Sequence, residues 1–257
     1  MSDENVVFYD GLAEDYHLVY HDWKASVERQ GDVLARVIRE MLGAGSKRIL
    51  DCSCGIGTQC LGLARRGHEV LGVDRSPRSV ERARAEAASA GLMIEFRVGD
   101  LRHLESVTAE SFDVVLSCDN SLPHLLTEAD LHQGVRSMLE RLRDGGLLLA
   151  SIRDYDEILE NRPITTQPAL SGPPGSRRVI FQIWTWQPDG RRYGLELLVM
   201  AEDGKGRWNV RSHRGSYRAV TRSELVEILE NAGASGVEWH MPMESGFFQP
   251  LVTARRG

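Results

Sequence analysis

Apolar positions fall into two textures along this chain. Between Asp32 and Ile152, short β-prone runs rich in apolar residues alternate with stretches where apolar residues recur every three or four positions. The runs are Arg48–Cys52, Glu69–Val73, Met93–Val98, Phe112–Ser117 and Leu147–Ile152. A strand that is apolar on both faces is sandwiched between layers, so these runs predict parallel strands covered on both sides. The periodic stretches predict helices. Asp32–Leu42 places Val33, Leu34, Val37, Ile38, Met41 and Leu42 on one face, and Gly43 and Gly45 stop it. Gln59–Arg66 and Glu128–Leu142 read the same way, and Arg78–Ala90 opens on Ser76 as N-cap with Pro77 in the first turn. Strands alternating with helices imply βαβ units and an open α/β sheet.

From Asn161 the pattern changes. Pro163–Gly175 is rich in Pro, Gly, Ser and Thr and has no helical period. Val179–Trp186 and Tyr193–Met200 are β-prone runs joined by the turn Gln187-Pro188-Asp189-Gly190, and Trp208–Val220 reads as a third strand. Thr221 then caps a helix through Glu230, with Glu224 at the capping-box position. Val237–Met241 and Phe247–Ala254 predict an antiparallel edge hairpin. The chain thus divides into an α/β domain, 1–160 with 221–257, and an inserted antiparallel cap, 161–220, lying over the carboxyl end of the parallel sheet. Ahead of it all, Phe8–Tyr20 is dense in aromatics at near-helical spacing. It reads either as a helix packing its rings on a neighbour or as a lid carrying Tyr16, His17 and Tyr20.

Composition narrows the partners. The 257 residues are 42% hydrophobic and 26% charged, with a net charge of −6 and no Lys/Arg-rich stripe, which disfavours a nucleic-acid backbone as ligand. No apolar run nears the roughly 20 residues that span a bilayer, and the acidic start lacks the basic and apolar regions of a secretory signal. A cytoplasmic location is the expectation. The four cysteines, Cys52, Cys54, Cys60 and Cys118, fit no metal-ligand spacing and read as buried, reduced side chains; no metal site is expected. Apolar helix positions can serve a core or a partner copy, so a homo-oligomer stays open.

Chemistry concentrates where the first strand ends. Asp51 is followed by Cys52-Ser53-Cys54-Gly55-Ile56-Gly57, a glycine turn that lets a ligand approach the main chain. A dinucleotide fingerprint would need a third small residue after Gly57, and Thr58-Gln59-Cys60 does not supply it. A carboxylate at Asp51 repels a pyrophosphate but suits an ammonium. Asp74 ends strand two, where an acid can accept both ribose hydroxyls, and Asp100 ends strand three, where it can accept an adenine amino group beside Leu101. Three acids at three successive strand ends match three parts of S-adenosylmethionine. Cys52, Arg75 and Cys118 flank the same ends and complete the candidate cofactor contacts.

The runs ILDCSCGIGTQ, GVD, GDL and FDVVLS resemble the class I methyltransferases. That resemblance implies a Rossmann-like, seven-stranded, mostly parallel sheet with helices on both faces and S-adenosylmethionine as cofactor. A narrower resemblance lies in Cys118-Asp119-Asn120-Ser121-Leu122-Pro123-His124-Leu125 and in Ser151-Ile152-Arg153-Asp154-Tyr155-Asp156. Both are similar to segments of the glycine and sarcosine N-methyltransferases. It implies Arg153 as a fork onto a substrate carboxylate, Asn120 as a substrate contact, Ser121 and His124 as cofactor contacts, and Tyr16 as a lid contact. Asp119 and Pro123 depart from it, standing where smaller residues are expected.

The residues themselves leave alternatives. Arg153 could pair with Asp154, Asp156 or Glu157 instead of a ligand. His124 titrates near neutrality and could act as a base, although a loop-fixing or cofactor-side role is preferred. Tyr155 and Tyr193 either supply hydroxyls to a substrate or only pack. The leading expectation is a methyltransferase acting on the amine of a small carboxylate-bearing molecule, glycine- or sarcosine-like, with Asn120, Arg153, Tyr155 and His124 at the chemistry. Two rivals are an N-, O- or C-methyltransferase of a larger small molecule, marked by a wide apolar pocket behind Trp184 and Trp186, and a cofactor-binding module without catalysis.

Overall fold

A computed structural model describes residues 4–257. Its main sheet has seven strands: β1 (Arg48–Asp51), β2 (Glu69–Asp74), β3 (Glu95–Val98), β4 (Phe112–Ser117), β5 (Leu142–Ser151), β10 (Ala234–His240) and β11 (Leu251–Arg256). Their order is β10-β11-β5-β4-β1-β2-β3. β3, β2, β1, β4 and β5 run parallel, and β11 lies antiparallel to β5 and to β10. Strand order therefore reverses between β1 and β4, and the crevice outside their carboxyl ends is where such sheets take ligands.

The apolar-rich runs of the central strands are explained by burial on both faces. Leu50, Val115 and Leu148 point into one hydrophobic cluster, and Ile49, Val114 and Leu147 into the other. The second cluster is closed by α2 (Trp23–Leu42), α3 (Thr58–Ala64) and α4 (Pro77–Ser89). The first is closed by α1 (Glu4–Leu12), α5 (Glu128–Glu140) and α7 (Arg222–Asn231). It also takes in the inner face of a second, antiparallel sheet: β6 (Ala169–Ser171), β7 (Arg178–Trp186), β8 (Arg192–Glu202) and β9 (Trp208–Arg218). α6 (Tyr155–Asn161) leads from β5 toward that sheet, and α8 (Pro242–Ser245) lies between β10 and β11.

Several elements differ from the sequence reading, each for a local reason. α2 starts at Trp23, because Asp22 accepts the Ala25 amide as its cap and Ser26, Gln30 and Gly31 continue the buried face where only apolar residues were sought. Phe8–Tyr20 is not one helix. α1 ends at Leu12, and Tyr16–Val19 forms a separate 3-10 turn. β5 begins at Leu142, so the expected turn Leu142–Gly146 is an irregular start of the strand. At α7, Thr221 accepts the Glu224 amide as expected, but the Glu224 carboxylate pairs with Arg191 and Arg218. Within the C-terminal pair only β10 is an edge strand, since β11 is inserted between it and β5.

Candidate functional site

The site grows from the ends of β1, β2 and β4. Gly55 has φ +52, and a Cβ built there would meet nothing within 4 Å, so the turn presents bare backbone to open space. Gly57 has φ +93 and faces the other way, packing toward Ala83 and Phe96. Asp74 folds over the turn, accepting the Gly55 amide at 2.8 Å and the Ser76 amide at 2.9 Å. Burial raises its carboxyl above the usual range.

A cleft opens here. It is lined by Cys52, Ser53, Gly55, Asp74, Arg75, Ser76 and Leu101 from the sheet ends, by Ser121, His124 and Leu125 below the β4 loop, and by Asn5, Val6, Tyr9 and Tyr16 above. Four residues expected to contact the cofactor do not line it: Asp51, Gly57, Asp100 and Cys118. Asp51 is 1% exposed and turns inward, accepting the Ser53 amide and the Cys60 thiol, and burial pushes its carboxyl up from 3.8 to about 7. Asp100 is spent on arginines. Burial alone would raise it, but Arg102, binding it through side chain and amide, together with Arg75 holds its carboxyl below the usual range. Cys118, like the other three cysteines, is a buried free thiol, pushed up by desolvation.

His124 ties α1 to the body of the protein. Its Nδ1 lies 3.1 Å from the Ser216 carbonyl, which can only accept, so Nδ1 carries the proton and Nε2 accepts the Tyr9 hydroxyl at 2.7 Å. The ring packs 4.0 Å from that of Tyr217. Asn5 adds a second tie, donating to the His124 carbonyl and accepting the Ser216 amide. On the far side Asp10 accepts the Ser76 hydroxyl and the Arg78 amide. α1 is thus fixed to β9, to the β4 loop and to the start of α4.

Beyond the wall formed by Tyr9 and Tyr16 lies a larger cavity of about 420 Å³. Its floor is the loop after β4, where Asp119 and Asn120 adopt φ +59 and +65 in succession. Two consecutive left-handed residues that are not glycine are strained, and such strain concentrates at functional loops. The strain is held by the Ser151 carbonyl on the Asn120 amide and by the Asn120 Oδ1 on the Arg153 amide, at 3.1 Å each. Asn120 Nδ2 is buried with no hydrogen-bond partner. The Asp119 carboxylate accepts Tyr20 at 2.6 Å, with Tyr16 and Gln249 each at 3.4 Å. Burial raises its carboxyl although these donors and Arg153 oppose the shift.

Arg153 enters the same cavity. Its guanidinium lies 5.1 Å from the Trp184 ring and 5.4 Å from Tyr217, and donates to the Tyr193 hydroxyl at 3.1 Å. The acids next to it in sequence go elsewhere, since Asp154 and Asp156 pair with Arg222. Tyr155 lines neither cavity. Both it and Tyr193 are 0% exposed, and its hydroxyl is committed to that of Tyr193 at 2.9 Å, so it stands behind Arg153 instead of at a substrate. Trp184 stacks on Tyr193 at 4.4 Å; the cavity lies not behind the two tryptophans but on Gln182, Leu195, Leu197 and Tyr217. The sequence reading missed Tyr9, Tyr217 and Gln249 as site residues; Tyr9 lay inside the aromatic run, whereas nothing around Gln249 marked it.

Residues 49–146 match the family described as methyltransferase domain. A glycine/sarcosine N-methyltransferase of Parasynechococcus marenigrum is 30% identical over 139 residues, 54% of this chain and 48% of that protein. The chain spans about half the length of the curated glycine/sarcosine N-methyltransferases it matches. Among solved structures, that of Streptomyces venezuelae DesVI superposes with a TM-score of 0.79 at 19% identity, covering 95% of this chain and 98% of that one. S-adenosylmethionine-bound CalS10, an amino pentose methyltransferase from Micromonospora echinaspora, superposes with a TM-score of 0.72 at 22% identity, covering 90% of this chain and 92% of that one.

Proposed function

We propose that this chain, whose residues 49–146 match a methyltransferase domain, uses S-adenosylmethionine to methylate the amine of a small molecule held in the 420 Å³ cavity. The observation that carries this reading is the arrangement of two cavities sharing one wall. One presents the bare Gly55 backbone and the Asp74 carboxylate; the other presents a guanidinium and a carboxylate, with the Asn120 side chain buried at its floor.

The cofactor supplies a methyl group on a positively charged sulfur. Gly55 would let the ligand lie on the main chain, Asp74 would accept the ribose hydroxyls and Leu101 would pack on the base. Asp51 acts from behind the turn, as a carboxylate below the ammonium end. Asp100 has no place in this assignment, because Arg102 and Arg75 hold its carboxylate. Neither Ser121 nor His124 needs to move a proton; His124 latches the lid through Tyr9 and Ser216. Displacement at a methyl with a good leaving group needs alignment and dryness above all, and alignment is worth several kcal/mol. Tyr9 and Tyr16 align the passage, and α1 excludes water.

On the acceptor side, Arg153 takes an acidic group through its planar fork. Asn120 Nδ2 offers a hydrogen bond, and Tyr155 acts as a positioning residue through Tyr193. The second sheet, with the loop leading to it, is the acceptor-binding cap. The cavity volume lies within the roughly 300–1,000 Å³ range of drug-sized ligands. An acceptor larger than glycine, such as an amino sugar acid, therefore fits as well as the glycine-like one. The test is calorimetry with S-adenosylmethionine and its demethylated product, followed by profiling of amines for a gain of one methyl. Binding of both cofactor forms with N-methylation of a carboxylate-bearing amine is expected. Failure to bind either form overturns the reading.

A further inference from the structure

Two opposite charges face the acceptor cavity without meeting each other. Among the described residues, no carboxylate comes within ion-pair distance of Arg153, whose contacts are the Tyr193 hydroxyl and two aromatic faces. Nor does any cationic side chain come within that distance of Asp119, which is ringed by Tyr16, Tyr20 and Gln249. Half-buried charges of this kind are costly unless paired and hydrogen-bonded. Both line the same cavity: Asp119 adjoins Asn120 in a backbone held in the left-handed region at both residues, and the Asn120 Oδ1 accepts the Arg153 amide.

Resting on the reading above, we propose that Asp119 binds the acceptor's ammonium and removes its proton, so that the substrate is a dipolar molecule spanning Asp119 and Arg153. Tyr20 and Tyr16 both donate to Oδ2, leaving Oδ1 with the long Gln249 contact alone, and Oδ1 is the atom that meets the ammonium. An ammonium has no lone pair and cannot be methylated. On transfer of one proton from nitrogen to Asp119 the pair is freed. The nitrogen then forms its bond to the methyl carbon as the carbon–sulfur bond breaks, sulfur keeps that electron pair, and the product nitrogen carries the positive charge. Burial favours the protonated form of Asp119 and so eases the first step. The same carboxylate disfavours an alcohol acceptor, which brings no cation to pair with it.

The experiment titrates the full chain, with the demethylated cofactor present, against glycine, sarcosine, 4-aminobutyrate and 6-aminohexanoate. Butylamine and butyrate serve as single-charge controls, and binding is read by calorimetry. At least one dipolar probe should bind about tenfold or more tighter than either control. Asp119→Asn should weaken that probe by about thirtyfold while leaving butyrate and the demethylated cofactor within twofold of wild type. Arg153→Gln should weaken butyrate instead. Equal binding of the dipolar probe to wild type and Asp119→Asn would overturn the assignment, as would a wild-type chain that prefers no dipolar probe. That wild-type comparison needs no variant to fold. A chain that binds the demethylated cofactor but fails the probe comparison leaves methyl transfer to another amine standing; a chain that binds no cofactor removes the underlying reading.

Discussion

Single side chains at this site act through what they are not bonded to. Arg153 has its aromatic cradle and one tyrosine hydroxyl but no carboxylate, so Arg153→Lys keeps the charge and loses the fork. Steady-state kinetics should show the acceptor KM rising about tenfold or more, with cofactor affinity near wild type; unchanged KM would remove the clamp. Asp74 is the opposite case, since both carboxylate oxygens also receive backbone amides. Asp74→Ala should weaken cofactor binding by about tenfold to a hundredfold in calorimetry, as expected for loss of a charged hydrogen bond. Asp51 gives a pH signature. Its folded carboxyl keeps a proton up to about 7, whereas the unfolded one loses it near 3.8. Between those values the folded state binds more protons, so the stability of the ligand-free protein falls as pH rises from about 4 to about 7 and then levels. The proposed ammonium near Asp51 would favour the ionised form, so cofactor affinity should rise with pH across the same window and flatten in Asp51→Asn. Calorimetry in buffers of different ionisation enthalpy would also detect the released proton.

Elements position these side chains through a few close approaches. α2 and α3 cross at Gly31 and Gly62, where a Cβ on Gly31 would stand 2.7 Å from the Gly62 Cα. Hydrogen bonds from Gln59 Nε2 to Gln30 Oε1 and from Trp23 Nε1 to the Thr58 hydroxyl lock the crossing, and α2 thereby brings Ser26, Arg29 and Gln30 to the acceptor cavity. Gly62→Val should cost about 1–3 kcal/mol in chemical denaturation through overpacking, with a change under 0.5 kcal/mol marking the crossing as pliant. α1 is held more lightly, by Asn5, Tyr9 and Asp10 on three different neighbours. Tyr9→Phe removes the bond to His124 and keeps the ring, so limited proteolysis should cut the first helix faster while the melting temperature changes little. Periodicity found α2 only in part, because its first half buries Ser26, Gln30 and Gly31, which no hydropathy pattern counts. It could not find the break of the N-terminal helix at Leu12 either, since the aromatic spacing continues through the 3-10 turn.

At the scale of the molecule, reversal of strand order between β1 and β4 makes the crevice, and the second sheet and α1 roof it. The parallel strands were legible because burial on both faces writes itself as short apolar-rich runs, as in Phe112–Ser117, which is a strand over those same residues. The acidic strand ends were legible as positions. Their orientations were not, because Asp51 turns to Cys60 and Asp100 to Arg102 through local hydrogen bonds that the hydropathy pattern does not record. Asp119 was visible only as a departure from a family pattern. Its meaning came from Tyr20 and Gln249, brought to it from opposite ends of the chain. No described helix is long and apolar enough to cross a membrane, and no group of His, Cys, Asp and Glu among the described residues could hold a metal ion. The central proposal is transfer of a methyl group to nitrogen in the cavity lined by Asp119 and Arg153. The most direct measurement supplies the purified chain with S-adenosylmethionine carrying a ¹³C-labelled methyl group and a panel of amino acids, amino sugar acids and hydroxy acids, and follows the label by proton–carbon NMR. The account predicts label on the nitrogen of an amine that also bears an acidic group; label on oxygen or carbon, with amines untouched, would contradict it.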